Sequence, residues 1–132
     1  MPPKLLGLSL GWVPMAAGPV WLLLTGLMAC AAWIALRHGG ARGADDATLI
    51  MAFIFLCWLH PLYTAVAHRM GVRRIVEFAG SVVTLAVGVI LTVHVTRASM
   101  YAAAFLLPVM LWLAVASYYL SEMLRSQGRT GN

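Results

Sequence analysis

Apolar and polar positions along the chain alternate in long blocks, with neither the period of a strand nor that of a half-exposed helix. Four apolar blocks run from about Ala16 to Leu36, Ala47 to Ala67, Ile75 to Val95 and Ser99 to Met123. The segments between and around them hold every charged residue except Glu77 and Glu122. Roughly 20 apolar residues, rising 1.5 Å each as a helix, cross a hydrocarbon core of about 30 Å. Lipid offers no hydrogen bonds, so a spanning segment must satisfy its own backbone. The pattern predicts an all-α integral membrane protein, a bundle of four transmembrane helices forming one domain over residues 1–132. The punctuation agrees. Arg37-His38-Gly39-Gly40 stops the first span, and Asp45 and Asp46 are placed to cap the second and favour its dipole. The connection around Thr96-Arg97 is so short that the third and fourth spans must be antiparallel neighbours. The apolar run that starts at Leu5 is interrupted by Gly7, Gly11, Trp12 and Pro14, and a full-length span follows directly. It reads as a juxtamembrane segment rather than a signal peptide. Ser126 to Asn132 reads as a frayed polar tail.

Composition strengthens this picture. Of 132 residues, 62% are hydrophobic and 10% charged, against about half and about a quarter in a soluble domain. The formal charge of +5 does not point to nucleic acid, because the basic residues sit singly or in pairs at the ends of apolar blocks, where lipid headgroups meet them. One side of the bundle carries Lys4, Arg69, Arg73, Arg74, Arg125 and Arg129, and the other Arg37, Arg42 and Arg97. The positive-inside rule then places both termini in the cytoplasm, with the chain multi-pass in a bacterial inner membrane. Cys30 and Cys57 both lie within apolar blocks and read as small buried hydrophobes, not as a disulfide or metal pair.

Ionisable groups within spans are costly and commonly functional. At 1.5 Å per residue, His60 lies roughly 20 Å below the outer surface and His94 only about 3 Å below it. One haem clamped between them is therefore excluded. A single haem contact through His60 stays open, beside a structural role in which His60 bonds a neighbouring helix or a carbonyl freed by Pro61. Glu77 and Glu122 are expected to pair with Arg73, Arg74 or Arg125, Arg73 and Glu77 being four apart on one helix face. The sequence holds no Ser/His/Asp set, phosphate loop or H-E-x-x-H motif, so no catalytic residue and no metal site is assigned.

The tryptophans carry more. Trp12 and Trp33 fall at headgroup levels. Trp21 lies about 8 Å inside one surface, while Trp58, His60 and Trp112 fall near the middle or in the same half. These four residues are the candidate ligand-binding set, a cavity in which a flat aromatic molecule stacks. Gly80, Thr84 and Gly88 recur every four residues along the third span as a helix-packing stripe. Its partner is either another span of the chain or the same span of a second copy, giving a homodimer.

Two segments resemble the tryptophan-rich sensory protein family, also called the translocator protein family (TspO/MBR). Trp12-Val13-Pro14, Gly18-Pro19-Val20-Trp21 and Leu27-Met28-Ala29 resemble the W-x-P and P-V-W-T-x-L-Y-x-x-M-G run that opens the family's second helix. Leu107-Pro108-Val109-Met110-Leu111-Trp112 with Ala116 resembles the L-P-Y-x-x-W-x-x-x-A run of its fifth. Trp58 and Pro61-Leu62-Tyr63 loosely match a W-S-P-L-F-F segment. The chain departs from the pattern by starting where the second of five helices would, and by losing polar groups. Thr25 and Val109 replace tyrosines, an asparagine expected near the end of the last helix is replaced around Leu120, and the glutamine and asparagine expected in the second span are absent, with Phe55 and Leu56 nearby. A pocket that keeps its aromatics and loses its donors should bind flat apolar ligands less selectively.

The resemblance implies a membrane receptor or sensor for a hydrophobic small molecule such as a porphyrin, a haem-like tetrapyrrole, a sterol or an aromatic drug. In bacteria it implies a link to tetrapyrrole or photosynthesis regulation. The other reading is a structural or assembly subunit of a larger respiratory or photosynthetic membrane complex. A tetrapyrrole transporter or enzyme has little support, because the chain has no internal repeat and its ionisable groups are scattered.

Overall fold

A computed structural model describes residues 4–5, 8–9 and 11–130. Four helices, α1 (Val13–His38), α2 (Gly43–Arg69), α3 (Arg73–Thr96) and α4 (Met100–Thr130), are each long and apolar enough to cross a membrane. Before them, β1 (Lys4–Leu5) and β2 (Leu8–Ser9) pair antiparallel over two residues each. Each helix packs against its neighbours in sequence, and α4 closes the ring against α1. The bundle thus has a basic end, where α1 and α3 begin and α2 and α4 finish, and an opposite end.

The helices outrun the apolar blocks that predict them. α1 starts at Val13, not Ala16, because Pro14 sits in its first turn, where a missing N–H costs nothing. α2 starts at Gly43, so Asp45 and Asp46 lie inside its first turn; Arg42 occupies the cap position, without a side-chain cap bond. The carboxylates complement the dipole from there but do not cap the helix. α4 runs on to Thr130 through the expected frayed tail, since extending a nucleated helix costs far less than starting one.

Each turn has a local cause. Between α1 and α2, a Cβ on Gly39 would lie 2.4 Å from the Ala35 carbonyl oxygen, and one on Gly43 2.3 Å from the same atom. Only glycine permits that approach. Between α2 and α3, Gly71 has φ 78°, its N–H reaches the His68 carbonyl, and the Val72 N–H reaches that of Ala67 at 3.0 Å. This is a Schellman closure that needs a left-handed residue. Between α3 and α4, the Ser99 hydroxyl accepts the Ala102 N–H at 3.3 Å and caps α4.

The inner faces meet around Met28, Ile50, Val95, Leu106 and Val109, all fully buried. Outward faces present Leu22, Leu23, Phe55, Leu62, Ile90, Leu107 and Leu111, more than half exposed. In water such a surface would collapse, and against acyl chains it costs nothing. The Gly80, Thr84, Gly88 stripe turns inward: a Cβ on Gly80 would meet the Tyr63 ring of α2, and one on Gly88 would meet Met110 of α4 and Phe53 of α2. Of the two partners expected for the stripe, the structure places spans of the same chain against it.

Candidate functional site

A cavity of about 560 Å³ opens between all four helices in the basic half of the bundle. Each helix gives it one face. α1 contributes Val13, Pro14, Ala17 and Trp21; α2, Cys57, His60, Pro61 and Thr64; α3, Arg73, Arg74, Glu77, Ser81 and Thr84; α4, Trp112, Leu113, Ala116, Tyr119, Leu120 and Met123. The three-and-four spacing within each set marks a single helical face. The volume falls within the range of about 300–1,000 Å³ usual for small-molecule sites. A smaller cavity adjoins it at the α2–α3 turn and shares Arg73 and Arg74.

Three of the four expected ligand residues, Trp21, His60 and Trp112, line this one cavity. Trp58 does not line it. Its side chain is 46% exposed on the outer surface, and its indole N–H donates to the Thr25 hydroxyl on α1 at 3.0 Å. Helical geometry is the cause. Two residues at 100° each put Trp58 roughly 160° around α2 from His60, at equal depth but on the far face. Thr25, where the family pattern has tyrosine, also bonds the Trp21 carbonyl at 2.7 Å, so it links the cavity tryptophan's turn to α2. Val109, the other tyrosine replacement, is fully buried in the core and outside the cavity lining.

Trp112 is only 8% exposed, and Trp12 lies against it with ring centroids 6.2 Å apart and planes tilted 44°. Trp12, expected as a simple headgroup anchor, therefore backs the cavity's most buried aromatic. His60 is held by its own helix: Nδ1 lies 2.8 Å from the Tyr63 hydroxyl, and the two rings meet edge-on at 5.1 Å. Thr64 bonds back along the same helix, donating to the His60 carbonyl at 2.8 Å. Nε2 of His60 has no hydrogen-bond partner among the described residues. A ring oriented through one nitrogen with the other free fits a single haem contact. His94, which lines no part of this cavity, could not supply a second.

Charge gathers at the basic rim. Arg73 Nε donates to Glu77 at 2.9 Å, and Arg125 to Glu122 at 3.2 Å, the pairings that the spacing predicts. A third pairing has no signal in the spacing. At the opposite end, Asp46 is 1% exposed and its Oδ1 lies 3.2 Å from His94 Nε2. These two residues lie 48 positions apart in sequence and meet only because α2 begins where α3 ends.

Comparison with known proteins gives one match. The model of the TspO/MBR family matches residues 9–125, a span that includes all four helices up to Arg125. No curated protein and no solved structure matches the chain.

Proposed function

The chain belongs to the TspO/MBR family, and from that membership we propose that it is a membrane receptor that binds a flat hydrophobic molecule, porphyrin-like in shape, in the four-helix cavity. The observation that carries the proposal is the convergence of Trp21, His60 and Trp112, from three different helices, on one space of suitable volume. Two indoles and the Tyr119 ring supply stacking surface, and the free His60 nitrogen supplies an orienting contact. Haem would meet His60 as its one protein ligand there. The protein acts by binding, not catalysis, with its basic end in the cytoplasm of a bacterial inner membrane. The lipid-facing surface is explained by the bilayer itself, so nothing specific favours the assembly-subunit reading.

Titration of protoporphyrin IX into the purified protein tests this. Saturable quenching of tryptophan fluorescence is expected. Trp112→Phe should weaken binding by roughly two- to tenfold, the scale of one aromatic contact at ~0.5–1.5 kcal/mol, while Trp58→Phe should leave affinity unchanged. Quenching that never saturates, or an affinity indifferent to Trp112, counts against the proposal.

A further inference from the structure

We propose that Arg74 makes the cavity selective for ligands that carry a carboxylate on a flat apolar body, over neutral ligands of the same shape. The inference rests on the ligand-binding reading above and adds a chemical class to it. The chain holds four acidic residues. Glu77 is engaged by Arg73 and Glu122 by Arg125, both at the basic end. Asp46 lies beside His94, with Asp45 next to it in the first turn of α2, at the opposite end. Among the described residues, no acid at the basic end is left unpaired for Arg74. Its side chain is half-buried and lines the cavity along with Trp21 and Trp112.

An arginine cannot lose its charge and presents a planar fork that fits a carboxylate bidentately. At the edge of an apolar cavity, partly withdrawn from water, that charge gains most from an anion that arrives with the ligand. Aromatic walls and one unmatched guanidinium thus describe an amphipathic organic anion: rings stacked between indoles, carboxylate at the rim. An anionic lipid headgroup offers the same negative oxygen chemistry, so the experiment must separate the two sources.

The probes are pyrenebutyric acid and its methyl ester, which share one flat body and differ by a charge. Pyrene accepts tryptophan emission, so binding reads out as energy transfer, corrected for partition into protein-free nanodiscs. In phosphatidylcholine nanodiscs the acid should bind about tenfold more tightly than the ester, or ~1.4 kcal/mol. Arg74→Gln should abolish that preference, bringing the affinity for the acid down to that for the ester, and Arg74→Lys should restore part of it. High salt should shrink the preference in the unmodified protein, a comparison that needs no variant. Equal affinity for acid and ester, or a preference that survives in Arg74→Gln, overturns the role of Arg74 while leaving cavity binding intact. A preference lost once phosphatidylglycerol is included also overturns it, because the guanidinium then serves the headgroups. Saturable binding of neither probe defeats the underlying reading instead.

Discussion

Gly80 couples helix packing to the cavity, and Gly80→Ala measures the coupling. A Cβ at this position would lie 2.3 Å from the Tyr63 hydroxyl and 2.8 and 2.9 Å from two carbons of its ring. Ordinary contact needs about 1 Å more, so the tyrosine must retreat or α3 must move off α2. Retreat stretches the 2.8 Å bond to His60 Nδ1 beyond hydrogen-bonding range. Overpacking costs about 1–3 kcal/mol and the lost bond about 0.5–1.5 kcal/mol, so the variant should lose roughly 1.5–4.5 kcal/mol. Tyr63→Phe removes the atom in closest conflict, so the damage should be partly shared. A double-mutant cycle over Gly80→Ala and Tyr63→Phe, read as SDS-unfolding free energies in mild detergent, should give a coupling above about 0.5 kcal/mol. Porphyrin affinity should fall in Gly80→Ala as well, since His60 loses its orienting partner. Additive single effects, or unchanged affinity beside lowered stability, would refute the link between the stripe and the site.

Three further outcomes follow from particular contacts. His94→Ala removes the half-exposed imidazole that lies 3.2 Å from the buried Asp46 carboxyl and should cost about 0.2–1 kcal/mol in the same unfolding assay; adding Asp46→Asn should recover part of that loss, and a double variant as unstable as the summed singles argues against the pairing. Thr25→Val removes the acceptor for Trp58 and should cost only about 0.6 kcal/mol, typical of an interhelical bond in a bilayer, with a shift in Trp58 emission as its optical sign. Gly43→Ala should destabilise more than Gly80→Ala, because the added carbon meets the fixed Ala35 carbonyl rather than the end of a side chain; a near-neutral melting shift would show that the α1–α2 turn relaxes easily.

The spans were legible in the sequence because each rests on one strong, local quantity, an apolar run long enough to cross lipid. The ends were less legible. α2 begins before Ala47 because the glycines of its turn continue straight into the helix, and apolarity carries no trace of that. The site was legible in depth but not in azimuth. Depth follows from counting residues, and it brought Trp21, Trp58, His60 and Trp112 to one level. Azimuth follows from 100° per residue, and applying it to α2 alone would have separated Trp58 from His60. The Asp46–His94 contact was open to depth, since both residues lie near the outer surface, but not to azimuth, because it depends on how two helix ends dock.

Depth and azimuth together also explain why the charges at the rim matter more than their number. Arg69 bears the same sign as Arg74 and belongs to the same end, yet it does not line the cavity. Arg73 and Arg74 are adjacent, so they stand about 100° apart on α3. Arg73 is placed to meet Glu77 one turn on, and that pairing uses the acid that would otherwise neutralise its neighbour. The i,i+4 pair thus leaves Arg74 unmatched by satisfying Arg73. Glu77→Gln should therefore raise the affinity for the acid more than that for the ester and so widen the acid preference, because Arg73 becomes a second free guanidinium at the rim. A narrowed preference in that variant would mean that Glu77 holds the arginines in their selective geometry, so the same measurement tells charge competition from positioning.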